Sequence, residues 1–498
     1  MRLNGENSRL EFDIIIHKKD DVYFQIECER SIAKELNEYF SFEVPGAKFM
    51  PSFKNRLWDG KIRLFDIRNN QIYVGLSDYI YKFATAKKYT ISGGVKTQLD
   101  IDVDSVRSFV DSLKSTVEIR DYQLDAVQHS IRHGRCILVS PTASGKSFII
   151  YTLIRYYQQI IDNSHILLLV PRSSLVEQMY TDFQDYGWDA EKYCHRIYAG
   201  KDKTSEKLVH ISTWQSIYQL PKKHFEKYKV ILGDEVHTFT AKSLKTIMQK
   251  TTDCPNKFGL TGTLDESESH HLVLEGLFGS VKKVTTTKEL IDAKQISDLK
   301  IIGIVLTYSE KDCIIRTYNE EIKFITNFPQ RNNLIRNLCI DLKGNTLVLF
   351  SLIKHGELLH QLIKEKSNDR KTFFVYGGTD SETREKIRRI VETERDSIVV
   401  ASFGVFSTGI NIRNLHNIIF ASPYKSRIRN LQSIGRGLRT HESKAIAKLY
   451  DIADNFNNNN HTMKHFVKRI GIYNQEEFDY EIVKINLKPQ NGKETTLC

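Results

Sequence analysis

Short apolar runs alternate with longer amphipathic stretches along most of this chain. From about residue 113, four runs are continuously apolar and each is followed by a turn: 136–140, 166–170, 230–232 and 257–260. Such runs are typical of strands buried on both faces of a parallel sheet. After about residue 297 the rhythm returns with candidate strands at 346–350, 372–376, 398–401, 418–421 and 447–451. The pattern therefore predicts two α/β domains in tandem.

The first 95 residues have a different pattern. Apolar and polar residues alternate over 12–17, 23–27 and 61–67, which predicts strands. Residues 31–40 have helical spacing, with Ser31 as a candidate N-cap. We predict these segments of the chain: a small α+β domain over 1–95, a connector over 96–112, α/β domains over 113–296 and 297–455, and a short mixed tail over 456–498.

Composition narrows the class of protein. Lys and Arg number 72 and Asp and Glu 61, so the formal charge is 72 − 61 = +11, which favours a polyanionic partner such as nucleic acid. The seven cysteines form no C-x-x-C pair, so we expect no zinc motif, redox motif or disulfide framework. The longest apolar run, 166–170, is far too short to span a bilayer, and the first residues lack a signal-peptide pattern. We expect a cytoplasmic protein with no membrane partner.

A candidate phosphate-binding loop lies between the first of the later strands and the helix that follows it. Its residues are Ser140, Pro141, Thr142, Ala143, Ser144, Gly145, Lys146 and Ser147. The chemistry needs backbone N–H groups at a helix N-terminus, a lysine for the β and γ phosphates and a hydroxyl for Mg²⁺. Gly145, Lys146 and Ser147 fill these places, although Ser140 replaces the first glycine of G-x-x-x-x-G-K-[ST]. We therefore expect ATP and Mg²⁺ as cofactors.

Two acids follow the apolar run 230–232. Asp234 and Glu235 lie where a parallel strand would end. An Asp at this position can hold Mg²⁺, usually through water, and the next acid can position or activate the attacking water. Because parallel sheets bind ligands at the carboxyl edge of their strands, we expect both acids to converge with the phosphate loop. Alone, the pair would be interpreted as a solvated acidic turn.

The second α/β domain contributes a pair of arginines. Arg436 and Arg439 are three residues apart on a helical stretch that starts near Gln432, so they share one helix face. An arginine from a second domain can stabilise the charge that develops on a transferred phosphoryl group. Hydrolysis would then depend on domain closure. A basic surface helix is the alternative interpretation.

Taken together, these motifs resemble those of superfamily 2 helicases and translocases over about 330 residues. The resemblance implies an α/β fold with two tandem RecA-like parallel-sheet ATPase domains, preceded here by the small α+β domain. The segment from Arg120 to Gln123 is similar to the motif that reads adenine. The resemblance also implies that Arg172, Thr213 and Trp214 contact nucleic acid.

The remaining motifs of that superfamily also have counterparts. Thr261 and Thr263 resemble the motif that couples hydrolysis to domain movement, and the resemblance extends this role to His237 and Gln432. Ser407, Thr408 and Gly409 resemble a motif of the second domain; it implies nucleic-acid contact for the first two and nucleotide contact for Gly409. The acidic motif reads Asp-Glu-Val-His, which differs from the Asp-Glu-Ala-Asp of the RNA helicase branch.

Within the superfamily, the chain most resembles the UvsW-like phage recombination helicases. The resemblance is carried by residues 51–66 in the first region and 404–409 in the second α/β domain. It implies ATP-dependent remodelling of branched DNA: branch migration, fork regression and removal of RNA–DNA loops. It also implies DNA junctions, with RNA–DNA hybrids as further candidates, as partners and the host-cell cytoplasm as the location.

A basic and aromatic segment lies in the first region. Its cations are Lys48, Lys54, Arg56, Lys61 and Arg63, and its aromatics are Phe49, Phe53, Trp58 and Phe65. Cations can contact phosphates and aromatics can stack on bases. Since a module of under 100 residues needs a core, we expect the aromatics to be buried. We expect Lys54, Arg56, Lys61 and Arg63 to contact DNA.

The sequence therefore predicts an ATP-driven DNA helicase or translocase, whose N-terminal module recognises a junction or parts its strands. The sequence does not exclude two other enzyme functions: an RNA helicase and the motor subunit of a restriction nuclease. A nucleotide-gated binding protein with a vestigial ATPase belongs to a different class, and the complete carboxylate and arginine pairs argue against it.

Overall fold

The computed structural model of the protein describes residues 11–44, 46–94, 98–161, 164–238, 242–264, 268–308, 317–409, 412, 414–423, 446–456 and 460–487. They form two compact units: the first contains the residues up to Ser140 and Gly145–Val284, and the second contains Pro141–Ser144 and the residues from Thr285 onwards. In this part of the chain, no helix has the length and apolar character needed to cross a membrane.

The first unit begins with a small α+β module. Its strands are β1 Ile14–Lys18, β2 Tyr23–Cys28, β3 Ser41–Glu43, β4 Lys61–Arg63, β5 Phe65–Asp66, β6 Gln71–Tyr73 and β7 Ile91–Gly93, and its helices are α1 Arg30–Tyr39, α2 Pro51–Lys54 and α3 Ser77–Lys87. Five strands form a sheet in the order β5-β6-β2-β1-β7, and β3 pairs with β4. Helix α1 buries Ile32 and Leu36, one turn apart, as amphipathic spacing requires. It begins one residue before the predicted Ser31, and Glu29 is at its N-cap.

A parallel sheet forms the main part of the first unit. Helix α4 Val103–Ser112 leads into it, and its strands are β8 Arg135–Val139, β9 His165–Val170, β10 Cys194–Ile197, β11 Val209–Thr213, β12 Tyr228–Asp234, β13 Asn256–Thr261 and β14 Val281–Lys283. The strand order is β10-β11-β9-β12-β13-β8-β14, and every pairing is parallel. The predicted run 166–170 is completely buried, as expected for a strand covered on both faces.

Helices cover both faces of this sheet. They are α5 Asp121–His133, α6 Lys146–Ile160, α7 Ser173–Asp185, α8 Ala190–Tyr193, α9 Trp214–Ile217, α10 Lys242–Lys250 and α11 Glu268–Phe278. Each longer helix returns the chain so that the next strand runs parallel to the last. Apolar side chains of the strands therefore fall into two separate clusters, one on each face, with Ile137 and Leu167 in one and Leu138 and Leu168 in the other.

The α+β module is attached to this sheet by direct hydrogen bonds. The carbonyl of Asp21 accepts bonds from Arg135 and from Nζ of Lys257, the latter at 3.2 Å. The Gln249 amide donates to the Tyr23 hydroxyl at 2.7 Å. These contacts make the module and the first parallel sheet one compact unit.

The second unit contains another seven-stranded parallel sheet. Its strands are β15 Asp298–Thr307, β16 Thr346–Phe350, β17 Thr372–Val375, β18 Ile398–Ser402, β19 Asn417–Phe420, β20 Ile446–Asn455 and β21 Tyr480–Asn486, and its helices are α12 Thr287–Asp292, α13 Tyr318–Asn327, α14 Pro329–Asp341, α15 Ile353–Lys366, α16 Ser381–Thr393, α17 Phe403–Gly409 and α18 His461–Gln475. The order is β17-β18-β16-β19-β20-β15-β21. Strand β21, which lies beyond the predicted domain end at residue 455, pairs along β15.

Among the described residues of the second unit, two ion pairs are completely buried. Arg331 donates from Nε to Asp454 Oδ1 at 2.7 Å and from Nη2 to the carbonyl of Ala421 at 2.9 Å. Arg469 donates from Nη2 to Asp451 Oδ1 at 2.7 Å. Both acids are on β20, so the pairs fix α14 and α18 to that strand. A buried charge without its partner is strongly destabilising.

We predict that Arg331→Met destabilises the second unit by about 3–5 kcal/mol, because it leaves the Asp454 carboxylate buried without its partner. The double variant Arg331→Met/Asp454→Leu should recover most of this loss, since neither charge of this pair remains buried. Chemical denaturation followed by circular dichroism measures both free energies of unfolding.

Arg389→Met is the matched control, because this arginine on α16 is largely exposed. It should change the free energy of unfolding by less than about 0.5 kcal/mol. A double variant as unstable as the single one would contradict the assignment of the cost to an unpaired charge.

Candidate nucleotide-binding site

The predicted phosphate loop joins β8 to α6. Ala143 and Gly145 have left-handed backbone angles, with φ of 70° and 78°. A side chain at Gly145 would be strained by this φ, and its Cβ atom would lie 2.4 Å from Nε2 of Gln123, so that the Gln123 amide would have to move. Ser140 does not have a left-handed φ, so a glycine is not required at this first position. The departure from the usual pattern therefore has no conformational cost.

Helix α6 begins directly at Lys146. The ammonium group of Lys146 donates to the carbonyl of Ser140 at 3.1 Å, so the lysine side chain lies along the loop. The Ser144 hydroxyl donates to the carbonyl of Pro141 at 2.7 Å, which closes the turn that includes Thr142. The first N–H groups of a helix have no partner within the helix and carry its positive dipole end. The loop and helix start together make an anion-binding geometry.

The predicted adenine-reading residue contacts this loop. The Gln123 side-chain oxygen accepts a hydrogen bond from the backbone N–H of Arg120 at 3.0 Å, and its amide nitrogen lies 3.5 Å from the carbonyl of Gly145. The guanidinium of Arg120 donates to the Tyr122 hydroxyl at 2.8 Å. Gln123 thus links the start of α5 to the loop, and adenine recognition stays a prediction.

The two acids lie at the carboxyl end of β12. Asp234 is 5% exposed, and its Oδ1 atom has no hydrogen-bond partner within the described residues. Burial, reinforced by the neighbouring Glu235 charge, raises the pKa of Asp234 to about 7, although the Lys146 charge opposes this shift. Glu235 has a left-handed φ of 51°. A buried carboxylate oxygen of this kind fits a hard divalent cation, because Mg²⁺ prefers oxygen ligands.

A series of side-chain contacts leads away from these acids. His237 Nδ1 lies 3.3 Å from Glu235 Oε2 and 2.6 Å from the Thr261 hydroxyl. That hydroxyl donates to the carbonyl of Thr263 at 2.8 Å. His237, which is predicted to couple hydrolysis to movement, is therefore in direct contact with the candidate water-activating acid, and Thr261 is connected to that acid through His237.

The same edge of the sheet carries the predicted nucleic-acid contacts. Thr213 ends β11 and pairs with Val170 at the end of β9, so Arg172, which is exposed, follows the neighbouring strand. The Thr213 hydroxyl lies 2.8 Å from that of Ser216. Trp214 is 9% exposed and belongs to the core. Its ring therefore has a packing role, which the sequence motif did not indicate.

Tyr186 is a site residue that the sequence did not reveal. Its hydroxyl lies 2.8 Å from the hydroxyl of Ser147, the predicted Mg²⁺ ligand. It is the C-cap of α7, far from any motif in sequence, and burial raises its pKa to about 12. A tyrosine after an amphipathic helix has no distinguishing pattern, so only the fold could identify it.

Comparison with known families identifies three segments of the chain. Residues 13–93 match the family described as "DNA helicase UvsW, N-terminal", residues 116–266 match "Type III restriction enzyme, res subunit", and residues 330–441 match "Helicase conserved C-terminal domain".

One relative covers nearly the whole chain. The ATP-dependent DNA helicase uvsW of Enterobacteria phage T4 is 35% identical over 507 residues, covering 95% of this chain and 100% of that protein. This chain belongs to the UvsW family of ATP-dependent DNA helicases. The crystal structure of T4 UvsW covers 95% of this chain and 99% of its own, with 34% identity and a TM-score of 0.52.

The family assignment confirms the predicted resemblance and the fold class. A more distant relative, the DNA 3'-5' translocase XPB2 of Sulfurisphaera tokodaii, is 24% identical and covers 74% of this chain and 88% of its own. A fragment of a putative HsdR subunit of a type I restriction enzyme from Vibrio vulnificus shares the fold, with 17% identity, a TM-score of 0.57 and coverage of 78% of this chain and 72% of its own.

Several predicted residues of the UvsW-family motifs fall outside what the structure describes. Arg436, Arg439 and Gln432 lie in the stretch between residues 423 and 446, outside the described residues. Ser407, Thr408 and Gly409 lie in α17, where the backbone alone is described. Their roles stay predictions.

The cations predicted to contact DNA are all exposed. They are Lys54, Arg56, Lys61 and Arg63. Arg63 forms an ion pair with Asp59, and this hydrogen-bonded contact lowers the pKa of the Asp59 carboxyl to about 2. Because Arg63 is paired, Lys54, Arg56 and Lys61 contribute most of the positive charge among these four cations.

The prediction that the aromatics of this segment form a core was wrong for two of them. Phe65 is completely buried, whereas Phe49 and Phe53 are exposed. The indole N–H of Trp58 donates to the carbonyl of Lys61 at 2.9 Å. The module obtains its core instead from β1, β2, α1 and α3, so it does not need the other aromatics.

We predict that Asp234→Asn stabilises the nucleotide-free protein at pH 8, measured by thermal unfolding in EDTA. The folded pKa is raised from 3.8 to about 7, so the native state holds this proton more tightly than the unfolded state. Stability from this group is therefore lost as the pH rises through that interval. The amide carries no charge and removes the penalty, on the order of 2–4 kcal/mol.

The difference between variant and parent should shrink steadily as the pH falls from 8 towards 4. Glu382→Gln, an exposed acid on α16, is the control and should show no such trend. An Asp234→Asn protein that melts below the parent at pH 8 would show that the carboxylate is not desolvated as described.

Proposed function

We propose that this protein is an ATP-driven motor that remodels branched DNA. The observation that supports this most directly is the convergence, at one edge of the first parallel sheet, of Lys146, Asp234 and Thr261 in a UvsW-family chain. Parallel α/β sheets bind ligands at this edge. The family relationship makes DNA the partner class, and branch migration, fork regression and unwinding of RNA–DNA loops are the reactions we propose. A phage-encoded motor of this kind would work in the host-cell cytoplasm.

The site residues divide the chemistry between them. Lys146 and the N–H groups of the loop bind the phosphates, Ser147 and Asp234 hold Mg²⁺, and Glu235 orients and activates the attacking water. When bound, Mg²⁺ neutralises the charge that develops on the phosphoryl oxygens. The buried Oδ1 atom of Asp234 supports this ligand assignment.

The motifs of the second parallel-sheet domain supply the remaining residues that we propose for ATP hydrolysis and nucleic-acid binding. Arg436 and Arg439 stabilise the charge on the transferred phosphoryl group, as their spacing and their offset from Gln432 suggest. Gly409 contributes to the nucleotide site, and Ser407 and Thr408 contact nucleic acid. These assignments rest on sequence motifs alone.

The coupling of ATP hydrolysis to domain movement begins at Glu235. Glu235 contacts His237, and His237 bonds to Thr261. These contacts connect the acid to β13, the strand that ends in the Thr261–Thr263 motif. A change at the γ-phosphate would alter the Glu235 position and thereby the Thr261–Thr263 turn. Arg172 and Thr213, at the same sheet edge, are the residues through which we propose the motor holds the DNA backbone.

The sequence alone left two alternative functions open, an RNA helicase and a restriction motor subunit. The Asp-Glu-Val-His motif and the UvsW-type N-terminal module favour DNA. Cleavage of DNA by the purified chain would favour the restriction alternative.

We predict that the ATPase rate is stimulated most by branched DNA. The rate is measured without nucleic acid and then with single-stranded DNA, duplex DNA, a four-way junction and RNA. Stimulation by RNA alone would assign the protein to RNA, and no stimulation by any nucleic acid would favour a nucleotide switch.

We further predict that Lys146→Ala lowers the DNA-stimulated rate by on the order of 100-fold or more, since the charge that binds the transferred phosphate is removed. Lys203→Ala, at an exposed position of the same unit, is the control and should retain the parent rate. Full DNA-stimulated ATPase activity in Lys146→Ala would refute the site assignment.

A further inference from the structure

An exposed apolar surface lies at the end of a small hairpin in the N-terminal module. Strands β3 and β4 pair antiparallel, with Ser41 opposite Arg63 and Glu43 opposite Lys61. The residues between these strands form a turn that we call the tip, residues 46–60. Phe49, Met50, Phe53 and Leu57 of the tip are all exposed.

The exposure is unusual for this protein. Leu57 is 81% exposed and Phe49 is 71% exposed, more than any other large apolar side chain in the part of the chain that the structure describes. Leaving large apolar groups in water is costly, and a cluster of them on a surface marks a binding site more often than chance. The tip therefore needs a partner that covers apolar side chains.

The backbone of the tip is well organised. It contains a 3₁₀ turn at Ala47–Phe49 and helix α2. The N–H of Leu57 donates to the carbonyl of Ser52 at 2.9 Å, and the N–H of Val44 donates to the carbonyl of Gly60 at 2.8 Å. These bonds hold Phe49 and Leu57 outward, so their exposure is built into the turn.

Positive charge surrounds the apolar side chains. From residue 46 to residue 63, the chain has five cations and one acid, a formal charge of 5 − 1 = +4. The single acid, Asp59, is paired with Arg63. Lys54, Arg56 and Lys61 are left to face a polyanion, together with Lys48, whose ammonium group lies 5.5 Å from the centre of the Phe49 ring. This charge favours nucleic acid as the partner.

The apolar side chains determine which form of DNA fits. In an intact duplex the base faces are covered by their neighbours, so the duplex would offer the tip phosphates, sugars and base edges but no base face. At a branch point, the terminal base pair and the unpaired bases expose flat apolar faces that can stack on protein side chains. A surface with cations around an apolar centre matches this junction better than it matches duplex.

The tip is also connected to the motor. Its module is bonded to the first parallel sheet through the Asp21 carbonyl, which accepts from Arg135 and Lys257. The Tyr79 hydroxyl donates to Glu275 on α11 at 3.0 Å. Force applied to DNA at that sheet would therefore act against a tip that is attached to the same unit.

We propose that the tip is a wedge at the DNA branch point. Phe49 and Leu57 stack on the exposed base pair, while Lys48, Lys54 and Arg56 hold the flanking phosphates. The proposal rests on the proposed DNA motor function and identifies the structural feature of the DNA that the module binds.

The test is the double variant Phe49→Ala/Leu57→Ala in the full chain. We expect unwinding of a forked duplex to fall about tenfold, in line with the loss of one stacking contact. ATPase stimulation by single-stranded DNA should stay within about twofold of the parent, because the tip does not touch the nucleotide site. Both side chains are exposed, so the variant should fold normally.

A matched control is Leu99→Ala/Val467→Ala, which removes two other exposed apolar side chains and should unwind forks like the parent. Phe49→Trp/Leu57→Ala tests the chemistry and should regain much of the lost rate, since an indole restores stacking. A 2-aminopurine base at the fork gives a second readout: the parent should change its fluorescence on binding, and the alanine variant should not.

Failure of the wedge and failure of the motor are distinguishable. If the parent unwinds forks and the alanine variant does so equally well, the wedge is refuted while the motor stands. If the parent has no DNA-stimulated ATPase, the proposed function itself is refuted. Binding of the parent to phosphatidylglycerol vesicles that the alanine variant loses, with fork unwinding unchanged, would overturn the wedge in favour of a membrane surface.

Discussion

The parallel direction of the first sheet is the constraint on which the rest of the site depends. When neighbouring strands run the same way, all their carboxyl ends meet at one edge. Three features are therefore neighbours in space: the phosphate loop after β8, the acids at the end of β12 and Thr261 at the end of β13. Along the chain they are spread over about 120 residues. The helices between them serve to return the chain and to cover the sheet. It is because of that geometry that motifs far apart along the sequence can be evidence for a single site.

The same edge places charge where water cannot stabilise it. Asp234 is buried beside Glu235, and its carboxylate has a raised pKa because of that burial. Such an arrangement reduces stability in the absence of ligand, and a cation bound at the proposed Mg²⁺ site would offset this loss. The left-handed backbone angles at Ala143 and Glu235 are further local strain of a kind that surrounding structure has to sustain. The site is therefore arranged for its ligand rather than for its own stability.

The sequence predicted those elements whose side chains are uniformly apolar. Strand β16 was found over its predicted residues, 346–350, and the loop before α6 lies where its pattern placed it. Strands β10 and β11 were not predicted, because His195, Arg196 and His210 interrupt their apolar pattern. Tyr186 could not be predicted, since its partner Ser147 is distant in sequence. The exposure of Phe49 and Phe53 was missed because composition cannot reveal which aromatics a small core leaves out.

The topology of the second sheet has a consequence for how the chain is made. Strand β15 pairs on one side with β20 and on the other with β21, both of which are synthesised long after it. The first sheet needs no residue beyond Val284, so it can fold while the ribosome is still translating the rest. The second sheet is complete only when residue 486 has been synthesised, and until then the edge of β15 that pairs with β21 has no partner strand. This half of the chain therefore completes its fold later than the first half.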